Sequence, residues 1–365
     1  MEYCKLIKLN NTELLNNYNF WKEFDNLSTK IKRAPQLNSS WLIPYIKYQL
    51  KNGEPCILGA YQNGELVGCL PLQKVYKKAT RFWNYRQYEF LGSGPTDFFN
   101  IPVKDDSCEI LEKLFNYFIK NENWDILNLS LLPLSGPPSD FTDQFFSNTN
   151  KYQTKKDSDN GFNFQETHDL ALSSFIENKF KKKNKDLFKS ERRLLNDDIK
   201  VEVKSTRANT FDSFIRHVDL YANRRETLGQ HNYYKQTNYR SFLKEVCENF
   251  ETSRSIEFSY LATKNNNVLA IQLDFIRNNV RYHWNHAFNE DYKRYSPGKI
   301  LLKQLLFSSI ESSEINECNH MRGLSSYKSK FTNQTHHFKN YTITNKKSLR
   351  VNFTKLVSKL LKAIK

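Results

Sequence analysis

The sequence predicts an α/β (α+β) protein made of two tandem copies of one unit, each a twisted mixed sheet flanked by helices. Three observations lead there. The first is length: 365 residues exceed one compact core, and roughly 100–200 residues per domain makes two domains natural. The second is composition, 39% hydrophobic and 14% aromatic, which supplies enough apolar surface for real cores and excludes global disorder. The third is an order of elements that occurs twice. Hairpin turns begin at 62 and 264, 202 residues apart, and closing strands begin near 125 and 316, 191 apart. Hairpin, strand, helix and strand at nearly constant offset read as a duplication.

The elements follow from local pattern. In "TELLNNYNFWKEF", Leu14, Leu15, Tyr18 and Trp21 fall at helical spacing, and "SSWLIPYIKYQL" is a second apolar segment. The period then changes. "CILGAYQNGELVGCLPLQKVY" places two apolar runs around Gln62-Asn63-Gly64-Glu65, and Asn-Gly between such runs is a strong hairpin signal. "FWNYRQYEFLG" reads as a strand, "EILEKLFNYFIK" as an amphipathic helix and "WDILNLSLLP" as a buried strand. The second copy runs "IEFSYLATKNNNVLAIQLDFI", "VRYHWNHAF", "SPGKILLKQLLFSSIES" and "INECNHMRG". The expected organisation is therefore 1–150 for the first unit, 151–165 as a polar, turn-rich connection and 166–345 for the second unit. A basic amphipathic tail fills 346–365.

Charge narrows the partners. The net charge is +16, which favours anionic ones: nucleic acid, anionic lipid, nucleotide cofactors or acidic sugars. Part of the charge lies in "KFKKKNKDLFKSERRLL", 179–195, a basic helix whose alternative reading is a solvated face. Part lies in the tail, where Leu349, Phe353, Leu356, Val357, Leu360 and Ile364 form one stripe beside seven basic residues and no acid. The tail is expected either to pack on its own domain or to lie on an anionic membrane surface. None of the six cysteines forms a C-x-x-C pair, so no zinc ribbon or redox motif is written here. With no apolar signal core in "MEYCKLIKLNN" and no span of about 18–20 apolar residues, a cytoplasmic location is expected, at most peripheral to the membrane's inner face.

The stretch "RYSPGKILLKQLL", 294–306, poses the functional question. A P-loop would need glycine five positions before Gly298 and Ser or Thr after Lys299; Lys293 and Ile300 stand there. No G-x-G-x-x-G occurs either. What remains is Ser296 as an expected N-cap, Pro297 at the first helical position, Gly298 permitting close approach, and Lys299 with the first-turn N–H groups favouring an anion. An anion site and a capped helix start both fit. The matching helix of the first copy opens with "PVKDDSCE", whose Asp105, Asp106 and Glu109 repel phosphate. The first copy is accordingly expected to be structural, or a wall of the acceptor site.

Other residues invite chemistry. Asp274 is an acid in an apolar strand; if buried, its pKa should rise, making it a base candidate, unless it pairs with an arginine. His283 and His286, three apart on a strand, should face opposite ways and so not share a metal; either one is a base candidate, and no metal site is expected. Arg322 and Lys328 suit an anionic sugar, a phosphate or a cofactor, or are surface charge.

Five stretches, "GELVGCLPL", "YEFLGSGPTDFFNI", "FKSERRLL", "AFNEDYKRYSPGKILL" and "MRGLSSYKSKF", resemble GNAT acyltransferases, in particular the CelD/BcsL-like branch. That branch carries tandem GNAT-like units and is associated with cellulose and exopolysaccharide synthesis. The resemblance implies acetyl-CoA, or another acyl-CoA, as co-substrate. Its pyrophosphate would lie on the turn Tyr295, Ser296, Pro297, Gly298 and Lys299. The turn departs from the general Q/R-x-x-G-x-G/A pattern at Tyr295 and Ile300. The resemblance also implies Tyr327 as general acid to the CoA thiolate and Arg225 as a substrate contact; packing is the other reading of Tyr327. The implied activity is N- or O-acylation of a sugar or sugar-nucleotide of a surface polysaccharide. The alternatives are a Fem-type transferase drawing on aminoacyl-tRNA and a non-catalytic scaffold of a polysaccharide synthase.

Overall fold

The computed structural model describes residues 4–9, 11–31, 34–80, 83–158, 161–167, 170–176, 180–227, 229, 231–312 and 314–354. The chain divides into two units, 1–161 with 337–365, and Phe162–His336.

The first unit runs β1 (Cys4–Leu9), α1 (Asn11–Asn16), α2 (Tyr18–Thr29), α3 (Ser39–Tyr48), β2 (Gly53–Gln62), β3 (Glu65–Thr80) and β4 (Trp83–Phe90). It continues through α4 (Cys108–Asn121), β5 (Ile126–Pro133), α5 (Pro137–Ser147) and β6 (Tyr152–Asp157). Asn63 and Gly64 turn the β2–β3 hairpin with φ of 52° and 83°, the left-handed pair that a two-residue turn between twisted strands requires. β1 to β4 pair antiparallel in sequence order, and β4 then pairs parallel with β5. That parallel step needs a crossover, which α4 supplies by burying Ile110, Leu111, Leu114, Phe115 and Phe118.

The second unit starts with β7 (Gly161–Glu166), α6 (Leu172–Phe175), α7 (Lys181–Lys183), α8 (Lys185–Asn196), β8 (Val201–Thr206), α9 (Thr210–Ile215), α10 (Val218–Thr227) and α11 (Thr237–Thr252). Then come β9 (Ile256–Thr263), β10 (Val268–Arg277), β11 (Val280–Phe288), α12 (Pro297–Glu311) and β12 (Glu317–Arg322). β8 to β11 are antiparallel and β11 pairs parallel with β12, across α12. α12 is buried nearly all round, with Ile300, Leu301, Leu302, Leu305, Leu306 and Ile310 inside.

The duplication extends to backbone detail. Leu131 in β5 and Met321 in β12 both take positive φ, 57° and 55°, near the end of the closing strand. In each case an asparagine carboxamide accepts the freed N–H, Asn340 for Leu131 and Asn319 for Met321.

Three expected boundaries are corrected. Residues 151–165 are not a plain connection: they contain β6 and most of β7. The second unit does not extend to 345, because β13 (Gln334–Asn345) pairs antiparallel with β5 and β6 of the first. β7, for its part, pairs with β12. Each closing strand thus acquires its outer neighbour from sequence-distant chain, a pairing that local periodicity does not encode. The tail also begins later than 346. Residues 349–354 are helical, Val351 is buried, and Ser348 Oγ donates to Asp125 Oδ1 at 2.5 Å, so 346–354 belong to the first unit. Leu356, Val357, Leu360 and Ile364 of the apolar stripe lie outside the described residues. No described helix is long and apolar enough to cross a membrane.

Candidate functional site

The turn that opens α12 departs from its expected capping. Ser296 sits in the left-handed region, φ 52° and ψ 47°, and its side chain makes no cap hydrogen bond. The turn closes instead through its backbone: Lys299 N and Ile300 N both donate to Ser296 O, at 3.0 and 3.2 Å. Tyr295 is buried and donates its hydroxyl to Asp197 Oδ2 at 2.5 Å, with the Arg294 guanidinium 4.6 Å over its ring. It anchors the turn to the end of α8. Gly298 is buried, and a Cβ there would fall 2.5 Å from His286 Nε2. Close approach is therefore the reason for glycine, and the group approaching is a β11 imidazole. Lys299 is exposed, and the first turn of α12 holds no acid. The first-copy helix α4 opens with Glu109, as expected, its carboxylate held below the usual range by its hydrogen bond to Lys113.

Beside this turn the sheet opens. β11 and β12 pair only at Val280–Tyr282 with Glu317–Asn319. β11 continues to Phe288 and β12 to Arg322, with no further rungs between them. Two parallel strands that part in this way turn backbone N–H and C=O groups toward a wedge. Such groups require partners, and an extended ligand carrying its own amides can supply them as an added strand does. The wedge and the α12 N-terminus lie at the same end of β11, one suited to an amide-bearing arm and the other to an anion.

A buried polar stripe lines β9 to β11. Arg281 Nη1 binds Glu257 Oε1 at 2.6 Å and Asp274 Oδ2 at 3.0 Å, while Arg207 Nε binds Glu257 Oε2 at 2.8 Å. His283 Nδ1 binds Asp274 Oδ1 at 3.1 Å. Asp274 is fully buried, and burial alone would raise its pKa; His283 and Arg281 outweigh burial and hold it below the ordinary carboxylate value. Of the two readings open for Asp274, the pairing with an arginine holds and the raised base does not. His283 moves the other way. Burial lowers it, but the Asp274 charge and hydrogen bond raise it to about 9, so it is an imidazolium at neutral pH and not the free base expected of it.

The expected parity of the histidines is also corrected. Leu273 pairs with Asn285 but Asp274 with His283, a bulge that inserts Trp284. Gln272 and Asp274, two apart on β10, share a face. Asp274 holds His283, and Gln272 Oε1 holds His286 Nδ1 at 3.0 Å. Both histidines therefore stand on one face of the sheet. Even so, no group of three or more His, Cys, Asp or Glu is placed to hold a metal among the described residues.

The remaining candidates lie at two places. After β12, Lys328 Nζ donates to Arg322 O at 2.8 Å, which folds the turn carrying Tyr327 back onto the strand end. Tyr327 is half-buried against the core that includes Tyr295, Leu301 and Phe331, and Arg322 is exposed. Arg225 lies apart on α10. Its guanidinium sits 5.4 Å from the Tyr221 ring and 5.1 Å from that of Tyr233, and Nη1 donates to His231 O at 3.0 Å. These contacts give it a packing role. Sequence reasoning passed over His320, buried on β12 with its ring 5.0 Å from that of His283. A polar residue inside the short apolar strand "ECNHMR" was the signal available, of the same kind as Asp274.

Comparison with known proteins follows this geometry. Residues 181–329 match the family model described as an acetyltransferase (GNAT) domain. No curated protein matches the chain. Among solved structures, a conserved protein of unknown function from Bacteroides thetaiotaomicron VPI-5482 superposes with a TM-score of 0.58 at 13% identity, covering 93% of this chain and 100% of that one. FemX gives 0.62 at 8%, covering 92% and 98%. A tandem GNAT protein from the clavulanic acid biosynthesis pathway gives 0.50 at 8%, covering 93% and 98%. At these identities the likeness is one of fold. The match to a GNAT acetyltransferase domain lies in the second unit, and the fold of the chain is that of two tandem GNAT-like units.

Proposed function

We propose that the chain transfers an acyl group, acetyl in the first instance, from acyl-CoA to an amine or hydroxyl of a sugar or sugar-nucleotide in surface polysaccharide biosynthesis, as in the CelD/BcsL-like branch. The observation that carries the donor half is the β11–β12 wedge ending beside the acid-free first turn of α12. There a pantetheine arm would lie between the two parting strands, and a pyrophosphate would meet helix N–H groups with Lys299. The first unit lacks this pairing of features, since its helix opens with Glu109 after Asp105 and Asp106. The acceptor half rests on the resemblance and on a basic chain suited to an anionic sugar derivative.

The chemistry asks little of the donor site beyond position. The acceptor must lose a proton, and the carbonyl oxygen needs a donor as it gains charge. The departing thiolate takes a proton, for which Tyr327 on the turn tied to Arg322 is the candidate. Calorimetry with CoA and acetyl-CoA tests the donor. Micromolar binding is expected, and Lys299→Ala should weaken it by about 1–2 kcal/mol, the scale of one charge-assisted hydrogen bond. The fold likeness to FemX and the +16 charge favour a second reading, an aminoacyl-tRNA donor. Retention of tRNA without CoA binding would select it, and binding of neither would favour a non-catalytic scaffold.

A further inference from the structure

The apex of the wedge is occupied by two imidazoles. The last rung between β11 and β12 joins Tyr282 to Asn319. His283 and His320 are the next residue on each strand, and their ring centroids are 5.0 Å apart at an interplanar angle of 50°. Both are buried, at 7% and 2% exposure. The Nε2 atom of each is buried without a hydrogen-bond partner among the described residues. The Cys318 thiol lies beside His283 and favours its charged form, but it makes no hydrogen bond of ordinary geometry to that nitrogen. A buried polar atom left unpaired is costly, and two at one point call for an explanation.

We propose that this pair is the acyl-transfer centre and that His320 is the group that takes the proton from the attacking acceptor, an inference that rests on the acyl-CoA reading above. The two rings differ in the way such a centre needs. His283 is held by Asp274 through Nδ1, so its Nε2 carries a proton to donate. His320 is kept neutral, first by burial and then by the charges that act on it, His283 and His286 from β11 and Lys328 from the turn after β12. A neutral imidazole keeps one lone pair, and we assign it to Nε2, the ring nitrogen left without a partner among the described residues. Neighbouring titratable groups pushed apart in this way mark an acid and a base.

The step balances. The acceptor N–H or O–H gives its proton to His320 Nε2 as its nitrogen or oxygen bonds to the acyl carbon. The carbonyl electron pair moves to oxygen, whose charge faces His283 Nε2–H. Collapse restores the carbonyl and breaks the C–S bond. The thiolate leaves and is protonated, from Tyr327 or from the His320 imidazolium, which returns His320 to its neutral form.

The test uses the full chain with acetyl-CoA as probe. Imidazole NMR signals, assigned with His320→Gln and His283→Gln, are followed through an acetyl-CoA titration, while calorimetry records binding. Acetyl-CoA should shift the His320 signal. His320→Gln should bind acetyl-CoA within about threefold of the parent yet, with glucosamine as the probe amine that takes the acyl group, release thiol about 100-fold more slowly. The rising limb of the pH–rate profile set by His320 should also disappear. Binding without a shift at His320, or thiol release with an unchanged pH profile in His320→Gln, overturns this inference and leaves the acyl-CoA reading standing. Absence of acetyl-CoA binding to the parent chain overturns that reading, and this inference with it.

Discussion

His286 Nε2 lies 2.5 Å from the point where a Cβ on residue 298 would be, so an imidazole on β11 fills the space that glycine leaves at the mouth of α12. Gly298→Ala should push that ring off Gln272 and cost about 1–3 kcal/mol of stability, the usual penalty for overpacking. His286→Ala should relieve it. In a denaturant-unfolding double-mutant cycle the two changes should be strongly non-additive, because one contact underlies both. Additive costs would show that the ring does not hold the turn.

Tyr327→Phe keeps the packing on the Leu301–Phe331 core and removes only the hydroxyl. If that hydroxyl protonates the departing thiolate, kcat should fall by about 100-fold with CoA affinity little changed. An active Phe variant with parental kcat would leave Tyr327 as a packed aromatic.

The Asp274–His283–Arg281 group predicts how stability depends on pH. His283 is raised from 6.5 to about 9 in the folded chain. A group raised on folding contributes fully below its unfolded value and loses that contribution as pH climbs through its folded one. Stability should therefore decline between pH 6.5 and about 9, by an amount on the order of 3 kcal/mol if this pair acted alone. His283→Gln should flatten that decline. Asp274→Asn, which leaves two buried cations without their shared anion, should cost about 3–5 kcal/mol in chemical denaturation at pH 7.

The tail calls for a truncation at 355. Ser348 and Val351 are tied into the first unit, so removal of 346–354 would damage that unit's packing. Phe353 packs on Trp83 at 5.3 Å, and both are exposed, as is Leu349. Residues 355–365 add four lysines and no acid to the sequence that follows this apolar surface, so the full chain should sediment with anionic liposomes at low salt and be released as salt rises. The chain lacking 355–365 should stay in solution with its CoA binding intact. Equal sedimentation of both would remove the tail from the membrane contact.

Several features were legible in residue order because they are local. Asn63-Gly64 dictates its hairpin through backbone sterics, the apolar positions of 108–121 dictate an amphipathic helix, and Pro297-Gly298 marks a helix start whatever surrounds it. The repeat of order at 62 and 264 carried the duplication, and the absence of acid after Ser296 separated the second copy from the first. Other features depend on which strands meet. That β13 returns to β5, that Ser296 adopts a left-handed conformation instead of capping, and that the β11 bulge turns His283 and His286 to one face are results of pairing and register. A single inserted residue reverses every side chain beyond it. The charge state of Asp274 was open for the same reason. Burial alone would have raised its pKa, and only the fold brings Arg281 and His283 within 3.1 Å to reverse the sign. His320 was unreadable as a site residue because its significance lies in a neighbour 37 positions away, reached only where two parallel strands part.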